Sequence, residues 1–352
     1  KSGEIFVEEL PAPECPAGGI LVRTSSSLIS AGTEKISVDN AKASLLERAR
    51  RQPEDVKMVI DYVKKEGVLS TLKRVKNKLE SYKFLGYSAS GTVVESQCGE
   101  FSPGDRVACA GAGYALHAEI IAVPKNLAVL LPENVSFDEA AYTTLAAIAM
   151  QGVRQADLRL GEYAAVIGLG LLGQIAVQLL KASGCRVAGL DINESLFENA
   201  KKFGCDAVFL SSPDYIKNLE AFTGGTGFDA VIIAASSTSN QPIELALDIT
   251  RKKGKAVVLG AVGMNIPRGP FYKKEIDLRI SCSYGPGRYD AFYEEQGHDY
   301  PYAYVRWTEN RNMQAVLDLI SQGKLDTSSM TTHKFDIKSA ADAYELISGK
   351  KT

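Results

Sequence analysis

Short runs of Val, Ile and Leu broken by glycine and proline mark two stretches of this chain, residues 1–34 and 86–132. They read GILVRTSSSLISAG, GYSASGTVVES, GDRVACAGAG, HAEIIAVP and LAVLLP, a pattern that predicts β-strands in a barrel-like domain. Between them the period changes. Pro53-Glu54-Asp55 opens a helix, and Val56, Val59, Ile60 and Val63 follow at helical spacing, within a helical insert expected from about 39 to 81. After Ser136, FDEAAYTTLAAIAMQGVRQAD predicts one or two further helices.

From residue 164 the pattern changes again: an apolar strand, three glycines, an amphipathic helix and a second strand ending at Asp191. Further strands are predicted at 207–209, 229–233, 255–260 and 278–282, the earlier ones separated by helical patterns. That alternation implies an α/β fold with a six-stranded, doubly wound parallel sheet. The expected layout is a barrel domain over 1–153, a nucleotide domain over 154–298, and a return segment over 299–352 with helices at about 312–321 and 339–347.

The glycine turn carries the clearest chemistry. Gly168, Gly170 and Gly173 stand at G-x-G-x-x-G spacing, directly after a strand and opening a helix. Gly168 permits the sharp turn, Gly170 removes a side chain where backbone meets pyrophosphate, and Gly173 lets the helix pack on the sheet. Leu171 and Leu172 begin the helix, whose free N–H groups face the phosphates. Asp191, 18 positions after Gly173, suits the ribose hydroxyls of an adenosine and repels a 2′-phosphate, so NAD is expected over NADP. Arg186, the nearby cation, is poorly placed to rescue a phosphate. Ala234 after the fourth strand and Gly260 and Val262 after the fifth leave room for a nicotinamide ring.

Composition narrows the classes. The chain has 352 residues, 45% of them hydrophobic, and a formal charge of −2, which gives no general affinity for nucleic acid or anionic membrane. No 18-residue apolar run is present, and KSGEIFVEEL lacks the form of a signal peptide, so a cytoplasmic location is expected. Six dispersed cysteines without a C-x-x-C pair read as reduced, mostly buried thiols, and three histidines leave little from which to build a zinc site. Residues 35–84 hold 13 Lys or Arg against 7 Asp or Glu, either a solvated helix face or a lid that attracts anions.

Taken together, ISAGTE at 29–34, LGYSASGTVVE at 85–95, GDRVACAG at 104–111, HAEIIAVP at 117–124 and GLGLLG resemble the medium-chain dehydrogenase/reductase, or alcohol dehydrogenase-like, superfamily. The resemblance implies a GroES-like barrel joined to a Rossmann domain. Zinc members carry metal ligands where this chain has Ala31, Tyr87 and Ser88, and a structural-zinc loop is missing after Cys109, so a zinc-free member is expected. ISAGTE, LGYSASG, the insert between them, ACAGAGYALHAE and YVRWTENRNM further resemble the first half of bacterial two-domain oxidoreductases. In those a Gfo/Idh/MocA-type domain follows, often in polysaccharide-synthesis settings. That implies a fused C-terminal domain in a longer parent protein and a sugar-like or nucleotide-sugar-like substrate. A homo-oligomer is also expected.

Without a metal, oxyanion charge must be met by hydroxyl groups. Thr33 matches the proton-relaying hydroxyl of zinc members. Tyr87, in place of a ligand, would donate to the oxyanion if the cofactor's positive ring or a neighbouring cation lowered its pKa, and His117 would pass the proton to water. The competing role for Tyr87 is to fill the vacated cavity. Arg288, Tyr289, Arg306, Trp307, Glu309, Asn310 and Arg311 form a charged, aromatic run suited to a sugar ring, a phosphate or a subunit interface. The preferred function is hydride transfer between NAD(H) and a secondary alcohol or ketone. The alternatives are an enone or quinone C=C reductase using NAD(P)H and a non-catalytic dinucleotide-binding module.

Overall fold

The computed structural model describes residues 4–43, 53–67, 70, 83–211 and 216–349. Two sheets organise it. Gly19–Ser27 (β1), Ser88–Ser96 (β2), Arg106–Ala110 (β3), Ile120–Pro124 (β4) and Ala128–Leu130 (β5) form a five-stranded antiparallel sheet in the order β4-β1-β2-β3-β5. Tyr163–Ile167 (β6), Arg186–Asp191 (β7), Ala207–Leu210 (β8), Phe228–Ile233 (β9), Thr250–Val258 (β10) and Asp277–Ile280 (β11) form the predicted six-stranded parallel sheet. Its order, β11-β10-β9-β6-β7-β8, reverses direction beside β6, so the crevice at the carboxyl end of β6 is the switch point where ligands of such sheets bind.

Alternation along β6 shows why its run of five reads as almost wholly apolar. Ala164 and Val166 enter a core shared with the barrel and the helix Thr143–Ala156, whereas Ala165 and Ile167 enter a second core on the opposite face. Both faces of the strand are covered, as parallel sheets require. The helix Thr143–Ala156 also packs on the helices Leu171–Ala182 and Glu309–Ser321, which joins barrel, nucleotide sheet and return segment through one apolar interior. Among the described residues no helix is long and apolar enough to cross a membrane.

Two expectations need correction. The β-rich reading of 1–34 fails at its end, because ISAGTE does not continue as strand: Ala31–Lys42 is a helix with Ser30 at its N-cap position, and the helical region begins eight residues before the expected Asp39. Glu34, placed in the first turn of that helix, decides the matter, since it accepts from the Ser30 N–H and ties the turn together. The insert is described as helix at Pro53–Glu66, while much of the remaining stretch to 81, and with it most of the basic segment, lies outside the described residues. The return helices fall at Glu309–Ser321 and Ala340–Ile347, followed by Gly323 and Gly349 with positive φ. Cys109, Cys185 and Cys205 are buried and Cys15 and Cys98 partly so, but Cys282 is exposed.

Candidate active site

Gly86 begins the barrel part of the site. It takes φ 95°, and a Cβ there would lie 2.5 Å from the His117 nitrogen. The same approach lets the His117 N–H donate to the Leu85 carbonyl at 2.9 Å. Glycine at 86 therefore brings His117 alongside the start of β2, beside Tyr87. The neighbouring Ser88 hydroxyl faces away from this site, donating to the Ala141 carbonyl at 2.6 Å.

The Tyr87 phenol lies close to the Ser30 and Thr33 side chains, which act to lower its pKa, at the mouth of the helix Ala31–Lys42. Thr33 is exposed and Tyr87 half-buried, so the pair spans from solvent toward the interior. One residue further on, Glu34 is only 3% exposed. Its Oε2 accepts from His117 Nε2 at 3.1 Å and from the Tyr344 hydroxyl, and its Oε1 accepts from the Ser30 N–H at 2.9 Å. A carboxylate only accepts, which makes His117 Nε2 the donor to Glu34, while Nδ1 lies 2.8 Å from the Ser27 hydroxyl. Burial works to raise the Glu34 pKa, but the His117 bond and charge, the Tyr344 hydroxyl and the Ser30 N–H outweigh it and hold Glu34 below its ordinary value.

Tyr87, Thr33 and His117 thus stand around one cluster, as the residue types suggested. Its centre, Glu34, was missed although it lies in the ISAGTE motif, and Tyr344, from the penultimate turn of the chain's last described helix, carried no sequence signal. The neighbouring cation expected to activate Tyr87 is not found among the described residues: burial, with the Glu34 charge, pushes its pKa up against the lowering effect of Ser30 and Thr33. Tyr87 is therefore a neutral hydrogen-bond donor and not a phenolate base.

These residues do not fit a catalytic zinc. Ala31 offers no donor atom, the Ser88 hydroxyl is committed to a backbone carbonyl, and Tyr87 is neutral. Both His117 nitrogens are already partnered, and the buried Cys109 thiol is pushed up to about 12, far from a thiolate. Among the described residues no group of three His, Cys, Asp or Glu side chains is placed to hold a metal ion.

The dinucleotide site does fit. Gly168 has φ 94° and lies against Ala235, where a Cβ would approach the backbone nitrogen to 2.6 Å. A Cβ on Gly173 would sit 1.8 Å from the Gly168 carbonyl oxygen, so the helix start must carry glycine to pack on the turn. At Gly170, by contrast, nothing lies within 4 Å, which leaves open space in front of the helix N-terminus and the half-buried Leu171 and Leu172. Asp191 ends β7 and reaches across to this turn: Oδ2 accepts from the Leu169 N–H at 2.7 Å and Oδ1 from the Asn193 N–H at 2.9 Å. The carboxylate retains lone pairs for ribose hydroxyls while bracing the turn. Ala234 donates to the Ile167 carbonyl, and Gly260 packs so closely that a Cβ would meet the Ala235 oxygen at 2.1 Å. Val262 is half-buried on the same carboxyl edge.

Comparison with known proteins agrees with this architecture. The zinc-binding dehydrogenase family model matches residues 172–296. The alcohol dehydrogenase of Rhizobium meliloti (strain 1021) is 30% identical over 200 residues, 56% of this chain and 58% of that protein. The D-guloside 3-dehydrogenase of Escherichia coli (strain K12) is 28% identical over 273 residues, 74% of this chain and 72% of that protein. The galactitol-1-phosphate dehydrogenase of Escherichia coli superposes with a TM-score of 0.73 at 18% identity, covering 100% of this chain and 95% of that one. The chain is similar in sequence to alcohol and sugar dehydrogenases and shares the fold of the alcohol dehydrogenase-like structures. The family match falls on the nucleotide sheet and leaves out Glu34, Tyr87 and His117, so it says nothing about the barrel residues.

Of the charged run, Arg288 is engaged with Glu294 at 2.6 Å and Arg311 with Asp299, both within the chain itself. The guanidinium carbons of Arg154 and Arg306 stand 3.3 and 3.7 Å from the Trp307 ring centroid. Asn310 donates to the Asn126 and Ala128 carbonyls of the barrel. Glu309 is fully buried.

Proposed function

We propose that this protein is a zinc-independent oxidoreductase that transfers a hydride between NAD(H) and a secondary alcohol or its ketone, with a sugar hydroxyl as the reacting group. The observation that carries the reading is the Tyr87 phenol, held neutral beside Ser30 and Thr33 where a metal donor set does not fit. When bound, the nicotinamide supplies or accepts the hydride. In the reducing direction the Tyr87 hydroxyl donates its proton to the developing alkoxide and recovers one from Thr33 or Ser30; oxidation runs the same relay backwards. Exposed Thr33 connects the relay to water. Glu34, braced by His117 and Tyr344, fixes the helix start that presents both hydroxyls.

Support for NAD over NADP comes from Asp191, whose negative charge faces the turn where a 2′-phosphate would have to sit. Support for a sugar comes from the D-guloside and galactitol-phosphate dehydrogenases among the relatives and structural neighbours. Calorimetric titration with NADH and NADPH, followed by deuteride transfer from labelled NADH to a panel of keto-sugars in metal-free buffer, tests the reading. Tighter NADH binding and transfer that survives chelation are expected; transfer abolished by chelation and restored by zinc would overturn it.

A further inference from the structure

Strain points to a second recognition element. Between the end of β11 and the short helix Ala291–Glu294, every other residue adopts a left-handed backbone: Ser283 at φ 46°, Gly285 at 121°, Gly287 at 111° and Tyr289 at 68°. The glycines are fixed by their neighbours, because a Cβ at 285 would meet Asn312 Nδ2 at 2.7 Å and one at 287 the Tyr293 ring at 2.6 Å. Tyr289 has no such excuse. A bulky side chain in this region is unfavourable, and asparagine or glycine would fit the turn without strain. Yet the ring buries little, being 74% exposed. A costly conformation that gains no packing suggests that the ring is wanted where it stands.

Its surroundings hold it there. The Arg288 guanidinium lies 4.1 Å from the Tyr289 centroid and is anchored to the buried Glu294 carboxylate, so one face of the ring is backed by a fixed cation and the rest is open. The loop leaves the same carboxyl edge of the sheet as Gly168, Ala234 and Gly260. It also reaches the barrel, because Arg288, Glu294 and Glu295 lie close enough to Tyr114 to act on its hydroxyl. Tyr114 belongs to the turn whose Gly111 N–H donates to the Tyr87 carbonyl.

We infer that Tyr289, backed by Arg288, is a platform on which a pyranose ring of the substrate stacks. An open aromatic face takes the C–H face of a sugar, and the Arg288 guanidinium beside the ring suits a ring hydroxyl. The inference rests on the carbohydrate part of the proposed function and names the residue that would read it.

Tyr289→Gly and Tyr289→Asn both relieve the strain, so each variant should fold and melt at a higher temperature than the parent. Saturation-transfer NMR with methyl β-D-glucopyranoside and methyl β-D-galactopyranoside reads ring binding without turnover. The expected result is transfer to the glycoside ring protons in the parent protein and affinity about tenfold weaker in both variants, with NADH affinity unchanged. Parent and variants binding the glycosides equally, or none binding them, would overturn the platform. So would variants that change only the oligomeric state in sedimentation, which would make the ring a subunit contact. Loss of NADH binding by the parent itself would count against the oxidoreductase reading and leave the glycoside result standing.

Discussion

Glu34 and His117, 83 residues apart, meet through Oε2 and Nε2 at 3.1 Å, both nearly shielded from water. The pair ties the first turn of a helix to the strand-entry loop of the barrel, and so fixes Tyr87 relative to the Ser30 and Thr33 hydroxyls. Replacing Glu34 with Gln keeps the shape and removes the charge, which should destabilise the protein at pH 7 by about 1–3 kcal/mol. The pH dependence follows from the lowered Glu34 pKa. Its contribution is fully present above the ordinary value of 4.5 and is lost as pH falls through the lower folded value. Parent and E34Q melting temperatures should therefore differ at pH 7 and converge in acid.

Tyr87→Phe separates chemistry from packing. The ring still fills its site, but on the proposed relay no proton reaches the substrate oxygen, so turnover should fall by about a hundredfold or more while NADH affinity stays unchanged. Single-turnover kinetics beside a dinucleotide titration measures both. Equal turnover in the two proteins would reduce Tyr87 to a filler.

Two glycines three residues apart, Gly170 and Gly173, should fail differently, because their surroundings differ. Gly173→Ala drives a methyl into the Gly168 carbonyl and should disturb the fold itself. Gly170→Ala has free space for its methyl, so the protein should fold and melt normally, but the methyl occupies the approach of the pyrophosphate and NADH binding should drop. Circular dichroism melts and calorimetry on both variants distinguish the outcomes.

Glu309 predicts a second pH effect of opposite sign. Both carboxyl oxygens are buried without a hydrogen-bond partner, and burial, reinforced by Glu294 against the opposing Arg288, pushes its pKa up to about 9. The folded protein keeps a proton that the unfolded chain releases near 4.5, so this group's contribution declines as pH rises from there through about 9. Glu309→Gln should flatten the fall in melting temperature over that range. A parallel slope in parent and variant would disprove the assignment.

The nucleotide sheet was legible because local patterns determine it: apolar runs for strands covered on both faces, and glycines whose spacing reflects clashes at Gly168 and Gly173. The barrel strands were legible for the same reason. The helix at Ala31–Lys42 was not, because ISAGTE has a poor helical pattern and is held by Glu34 contacts from residues far along the chain. Tyr87 was visible as an oddity at one position, but the sign of its pKa shift depends on burial and on Glu34, which only the folded chain brings together.

The bond from Tyr344 to Glu34 closes a span of 310 residues. A nascent chain therefore completes its nucleotide sheet well before the group that braces the barrel helix has left the ribosome. Catalytic competence should arrive after dinucleotide binding during synthesis, and a chain released before the helix Ala340–Ile347 would capture cofactor without being able to use it.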